Sequence, residues 1–218
     1  MRLSLSILLL LFGCAPAASA SAGTIAVAPF NAVQLRNGGE VRIRQGDRQR
    51  VSIVEGEGVD ADFSVANGRL RIDRCRARCR HGEPFRVEIV MPRLDAVSVE
   101  EGGRLVVLAG FPRLARLDAT VANGGVVDAR AMEADQVTAA VAQGGVIFTR
   151  PGERLDAAVS QGGVISYWGD PMVVKAVHGG GVVRQGRAED RDRPLSELMP
   201  LPQAIAPVAP IPPLPNRD

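Results

Sequence analysis

Aromatic residues are scarce in this 218-residue chain: they make up 4% of it, with one tryptophan, Trp168, and one tyrosine, Tyr167. A core must therefore be built from Val, Leu, Ile and Ala, a list that suits pleated, half-buried strands. Histidine is limited to His81 and His178. Neither stands in a Ser/His/Asp, HExxH or phosphate-loop arrangement, so the common catalytic and metal-binding motifs are missing and no cofactor is implied. Charge of either sign is not in excess either. The formal net charge is +2, one unit of it from Arg2, which gives no footprint for nucleic acid. After the first residues there is no apolar run long enough to cross a bilayer, so membrane contact is expected only through a lipid anchor.

What is there begins with "MRLSLSILLLLFGCAPAASASAG". A short basic start, an apolar run from Leu5 to Phe12 and a small-residue stretch read as a secretory leader, since the run is far short of the ~20 residues of a spanning helix. Two exits compete. "LFGC" resembles the lipobox of bacterial lipoproteins, with Cys14 lipidated as the mature N-terminus, and Ala15 after it would imply outer-membrane sorting. The alternative is ordinary cleavage after Ala20 or Ala22 and free secretion.

Cys75 and Cys79 sit in "DRCRARCRHG", and in an oxidising compartment a disulfide between them is the expectation. Extended strand would hold their Cα atoms about 13 Å apart, whereas a bridge needs roughly 4.4–6.8 Å, so Arg76, Ala77 and Arg78 would have to turn tightly. A metal site using His81 has too few ligands nearby. Arg74, Arg76, Arg78 and Arg80 read as a solvated loop rather than an anion site.

The middle of the chain repeats itself. "TVANGGVV" from Thr120, "AVAQGGVI" from Ala140, "AVSQGGVI" from Ala158 and "AVHGGGVV" from Ala176 are variants of one phrase. With Val99-Glu-Glu-Gly-Gly before them, the anchoring valines are Val99, Val121, Val141, Val159 and Val177, at steps of 22, 20, 18 and 18 residues. That period is too short for helical hairpins and lacks leucine-rich spacing. It predicts an all-β fold, a β-solenoid whose coils stack at strand spacing so that each buries its neighbour's apolar face. On this reading Val121, Val141, Val159 and Val177 form one inward ladder, and Val126, Val146, Val164 and Val182 form another after the corner. The corner itself is Asn123-Gly124-Gly125, Gln143-Gly144-Gly145 and Gln161-Gly162-Gly163. The glycines would supply positive φ and close approach, and the amides would bond up and down the stack, with Glu101 and Gly179 ending that ladder.

"RLDA" at Arg93–Ala96, Arg116–Ala119 and Arg154–Ala157 predicts a second corner, where Asp caps its own turn and Arg pairs with it. Turn chemistry explains these three aspartates better than a catalytic row does. Upstream, "LRNGGEV" is a sixth copy. It opens a block in which Val41/Ile43, Val51/Ile53 and Leu70/Ile72 alternate with polar residues, the pattern of one-sided strands joined by "QGD" and "ANG" turns. This block reads as a strand-and-hairpin cap over the first coil, which an open stack needs against edge pairing.

"FNAVQLRNGGEVRIRQGD", then "VSIVEG", "VANGRLRI", "VEIVMPRLDAVSVEEGG" and the Gly-Gly repeats, in that order, resemble the bacterial family called putative auto-transporter adhesin, head GIN domain, over Val27 to Gln185. The resemblance implies an exported β-helical domain with no established catalytic residues, often behind a lipoprotein-like leader. This chain writes Asn/Gln-Gly-Gly-Val where the family usually has a Ser-Gly-Ser-Gly-Asp corner, so no ligand role tied to a polar corner carries over.

After Gln185 the pattern stops. "GRAEDRDR" is charge-dense, and from Pro194 the chain is Pro-rich, which predicts a disordered, polyproline-like tail. The best binding candidate is Tyr167 with Trp168 in "SYWGDPM", as an exposed pair able to stack on a sugar or a partner; core or edge packing is the competing and favoured role. His178 is expected on the surface of an end coil. The organisation is therefore leader (1–22), N-terminal strand and hairpin part (23–92), repeat coils (93–186) and tail (187–218). The functional expectation is a non-catalytic envelope or surface protein, exported to the outer membrane and periplasm or secreted. Its partner would be a macromolecule such as a glycan, a matrix component or an envelope protein. The alternative is a structural or regulatory periplasmic module tethered by its tail. Reading residues 5–12 as a leader predicts that protein recovered from its native envelope starts at a lipid-bearing Cys14 or near Ser21 to Gly23. Intact mass with and without thiol reduction checks this, and a chain still starting at Met1 would refute it.

Overall fold

The computed structural model describes residues 23–58, 61–74 and 84–199. Cys14, Cys75, Cys79, His81 and the tail from residue 200 lie outside them. Among the described residues the chain is all-β, with one short helix, α1 (Leu195–Leu198), near its end. Fifteen strands run in order: β1 (Gly23–Ile25), β2 (Ala32–Arg36), β3 (Glu40–Gln45), β4 (Arg50–Glu55), β5 (Ala61–Ala66), β6 (Arg69–Arg74), β7 (Arg86–Met91), β8 (Ala96–Glu100), β9 (Arg104–Val107), β10 (Leu114–Ala122), β11 (Val126–Ala142), β12 (Val146–Ser160), β13 (Val164–Tyr167), β14 (Met172–Val177) and β15 (Val182–Gln185).

The repeats pair in parallel and in register. On one face Leu35, Val99, Val121, Val141, Val159 and Val177 are successive partners across β2, β8, β10, β11, β12 and β14. On the other face Val41, Leu105, Val127, Ile147, Ile165 and Val183 are partners across β3, β9, β11, β12, β13 and β15. The first five members of each row are buried, and the core lies between the two rows. The N-terminal part adds β6 and β7 in parallel. Beyond them pair β5, β4 and β1, all antiparallel.

The second ladder differs by one residue from the expectation. Val127, Ile147 and Ile165 face the core, each fully buried, while Val126, Val146, Val164 and Val182 project from the outer side. Side chains alternate along a strand. The parity is reset at the corner, where three residues in succession have positive φ: 56°, 87° and 99° at Asn123, Gly124 and Gly125. The sixth copy takes the same shape, with 62°, 91° and 90° at Asn37, Gly38 and Gly39.

Those dihedrals also correct the amide reading. Asn123, Gln143 and Gln161 are exposed and left-handed, and the backbone N–H groups of Asn123 and Gln143 continue the pairing, donating to the Ala142 and Ser160 carbonyls at 3.0 and 3.1 Å. No amide-to-amide bond joins these side chains among the described residues. Glu101 (φ 58°) and Gly179 (φ 63°) hold the same conformation, so the position selects for backbone shape rather than for a side-chain ladder.

The first RLDA segment lies at a bend, between β7 and β8, where the Asp95 side chain bonds Arg93 and Asn31 rather than its own backbone; the other two are not turn caps. In β10 and β12 they lie inside strands, and the second bend precedes them, where the β11–β12 register shifts between Asp128 and Gln136. The leucines of all three, Leu94, Leu117 and Leu155, are fully buried. Arg93 bonds Asp95 at 2.6 Å and Arg154 bonds Asp156 at 2.7 Å, but Arg116 reaches Gln136 instead. The hydrogen bond from Arg154 holds the Asp156 carboxyl below its ordinary range, against a smaller opposing effect of desolvation. A carboxylate kept ionised by its neighbour on an exposed strand is the reverse of a general acid.

The two glycines of a corner carry different loads. A Cβ on Gly144 would meet nothing within 4 Å, so only its φ of +84° matters. A Cβ on Gly145 (φ +105°) would stand 2.4 Å from Val121 Cγ1 and 3.1 Å from the Gly125 carbonyl oxygen, both in the preceding coil. Gly144→Ala should therefore cost about 1–2 kcal/mol for left-handed backbone alone. Gly145→Ala adds overpacking of about 1–3 kcal/mol. Urea unfolding of the two variants checks this, and equal losses would remove the contact from the explanation.

Candidate functional site: the outer groove and its strap

The outer side of the second face has two aligned rows. One reads Arg42, Val106, Asp128, Phe148, Ser166, Arg184 across the paired strands; the next reads Val126, Val146, Val164, Val182. Most outward positions of a solvated sheet are polar, so a valine row here asks for a cover.

Residues 186–199 supply it. This strap leaves β15, makes a 3-10 turn at Ala188–Asp190 and ends in α1. Leu195 and Met199 pack on Val126, Val106 and Val146 in a second apolar cluster with Phe148 and Trp168. The expectation of a disordered tail from residue 187 is thus corrected for its first part: two apolar residues suffice because the sheet beneath offers a matching surface. The strap also closes on polar contacts. Trp168 is 5% exposed and its Nε1–H donates to the Arg187 carbonyl at 2.7 Å.

Beneath the strap is a buried ion pair. Arg130 and Asp128, with side chains 6% and 9% exposed, join through two nitrogens at 2.9 and 2.7 Å. The remaining terminal nitrogen, Nη1, donates to the Asp190 and Arg191 carbonyls at 2.8 and 3.3 Å. The guanidinium carbon lies 5.2 Å from the Phe148 ring centre and 5.5 Å from that of Trp168, within cation–π range. The two rings are 6.0 Å apart and tilted by 44°. Sequence reasoning passed over Asp128 and Arg130. Their one signal was opposite charges two residues apart in a coil whose counterparts are Phe148 and Ser166.

Tyr167 and Trp168 do not form an exposed pair. Neighbours in a strand point to opposite sides: Tyr167 packs half-buried against the main core, and Trp168 lies in the outer cluster. His178 is exposed on the last coil, as expected. Arg74 stacks over Phe85, with 5.6 Å to its ring centre. Among the described residues no group of three His, Cys, Asp or Glu could hold a metal ion.

The other exposed feature is the last coil. Met172, Val174, Val177 and Val182 are 38–59% exposed. Among the described residues β14 pairs only with β12, and β15 only with β13. Outward positions that are Arg154 and Asp156 one coil below become Met172 and Val174 here. Lys175 ends a buried inner row of Ala119, Ala139 and Ala157.

Parallel strands in register, corners of three positive-φ residues and an apolar open end define an all-β protein built by stacking. The chain belongs to the family described as putative auto-transporter adhesin, head GIN domain, which matches residues 29–111 and 112–171. Similar solved structures include a putative adhesin from Bacteroides fragilis, 18% identical with a TM-score of 0.43, covering 78% of this chain and 99% of that one. A putative adhesin from Parabacteroides merdae is 15% identical, with a TM-score of 0.36 and coverage of 77% and 96%. A putative cell adhesion protein from Clostridium sporogenes is 8% identical, with a TM-score of 0.36 and coverage of 75% and 97%. No curated protein matches the chain.

Removing Arg130 would leave Asp128 charged, buried and unpaired, and would release the strap. Arg130→Ala is therefore expected to cost about 3–5 kcal/mol, and replacing both members by apolar residues of similar volume distinctly less. Urea titration followed by Trp168 fluorescence measures both variants; a single variant no worse than the double one would show the pair to be dispensable.

Proposed function

We propose that this is an exported, non-catalytic, adhesin-like binding module, a β-solenoid whose N-terminal antiparallel strands cap one end and whose last coil is the contact surface for a macromolecular partner. Family membership supports the adhesin-like class and an exported or surface location. The observation that carries the contact surface is the end coil. Among the described residues it has two neighbouring unpaired strand edges, with four exposed apolar side chains among them. Unpaired edges template the addition of a strand from a partner, and an exposed apolar patch beside them contributes area. Lys175, aimed inward at the edge, disfavours indiscriminate pairing, a device known from natural edge strands. A glycan or protein of the matrix or envelope is the partner class.

Val174→Lys tests the reading, because the side chain is 48% exposed and its replacement should change stability by no more than about 0.5 kcal/mol. Beads coated with the intact protein are applied to immobilised glycans and matrix proteins. The wild-type protein is expected to adhere to at least one surface and Val174→Lys to lose that adhesion with its melting temperature unchanged. Adhesion that persists in the variant would move the contact away from the last coil.

A further inference from the structure

Between the strap and the outer face lies a depression of about 460 Å³, within the ~300–1,000 Å³ range of small-ligand sites. Val146, Phe148, Val164, Trp168, Leu198 and Met199 supply its apolar lining. One end is polar. Ser166 is 2% exposed, and its hydroxyl lies 3.4 Å from Arg184 Nε.

The other polar side chains around this depression already have partners. Asp190 pairs with Arg193 at 3.5 Å, Arg187 with Glu189 at 4.0 Å, and Gln185 donates to the Gly169 carbonyl at 2.6 Å. No carboxylate of the described residues lies within ion-pair distance of Arg184. The groove thus combines an apolar channel with a guanidinium and a buried hydroxyl side by side at its head.

We infer that this groove binds a single-chain amphiphile with a carboxylate head, a medium-chain fatty-acid anion. The carboxylate matches the forked donors of Arg184 and accepts a further bond from the Ser166 hydroxyl, which can rotate to donate. The hydrocarbon chain lies along Val146 and Val164 beneath Met199, gaining by removal of apolar surface from water. One guanidinium balances one negative charge. A dianionic phosphate head would meet the nearby Asp190 carboxylate with charge to spare, so the monocarboxylate is the better fit. This site lies beyond the end-coil reading and does not rest on it.

The test uses Trp168, the chain's only tryptophan, as its own reporter. The intact protein is titrated with decanoate and, separately, with decanol, both below the concentrations at which they aggregate. Decanoate is expected to produce a saturable change in Trp168 emission at least tenfold below the concentration decanol requires. Arg184→Gln should abolish that tenfold preference with the melting temperature unchanged. Bound decanoate should also slow tryptic cleavage after Arg187 and Arg191, since it joins the strap to the sheet. Val174→Lys should bind decanoate as the wild-type protein does, which keeps this result separate from the fate of the end-coil contact. No saturable change with decanoate, equal response to decanol, or an Arg184→Gln variant that keeps the preference would each overturn the inference.

Discussion

Everything in this fold depends on how closely one corner can sit on the next. Parallel strands require a separation near 4.8 Å, and at the corner that spacing leaves no room for a Cβ on the second glycine. The valine before one corner reaches toward the glycine of the next: Val121 toward Gly145, and Val141 toward Gly163. The same contact that closes the stack, repeated between Val99 and Gly125 and between Val159 and Gly181, makes valine and glycine recur as partners from one coil to the next. A β-branched residue fits because its stiff χ1 presents a methyl group in one direction. The repeat is therefore a packing relation between coils, written into each coil.

Two faces grow from those corners, and they end differently. The first presents mostly polar side chains outward: Arg116, Asp118 and Thr120 in one coil, Gln136 and Thr138 in the next, Arg154 and Asp156 in the one after, with alanines at Ala140 and Ala158. The second presents valines, and the chain returns across them. The buried Arg130–Asp128 pair sits where the returning strap crosses, and its remaining donors satisfy strap carbonyls. The value of that pair lies in location. A desolvated guanidinium contributes little net stability against apolar replacements, yet it fixes where two otherwise featureless surfaces meet.

The repeat and its positive-φ corner were legible because they rest on local chemistry: Gly-Gly after Asn or Gln allows few backbone shapes. The inward ladder of Val121, Val141 and Val159 followed from the same alignment. What lay beyond the corner was less legible. Whether Val126 or Val127 enters the core depends on the parity of three left-handed residues, which no apolar pattern reports when both neighbours are valine. Asp118 and Asp156 were misplaced for a related reason, since Arg and Asp two residues apart fit a turn cap and an exposed strand pair equally well. The strap was illegible because its anchors, Leu195 and Met199, are isolated apolar residues among charges and prolines. Arg130 was missed because its pairing with Asp128 looks like any surface pair until the strap, whose carbonyls lie 60 and 61 residues away, closes over it. Trp168 was singled out as chemically distinctive, but its orientation became clear only once Tyr167 was assigned to the opposite side.

A stack of identical units has an awkward mechanical property: each unit holds only its neighbours, so the free end can peel one coil at a time. The strap changes that. It starts at the last coil, β15, and anchors on β11 and β9, spanning the intervening coils as a stitch spans several layers of cloth. Loosening the last coil then requires Leu195, Met199 and Arg130 to let go first. Opening from this end becomes a concerted event of several coils rather than a sequence of small ones. One end of the stack can thus stay uncovered among the described residues without unravelling.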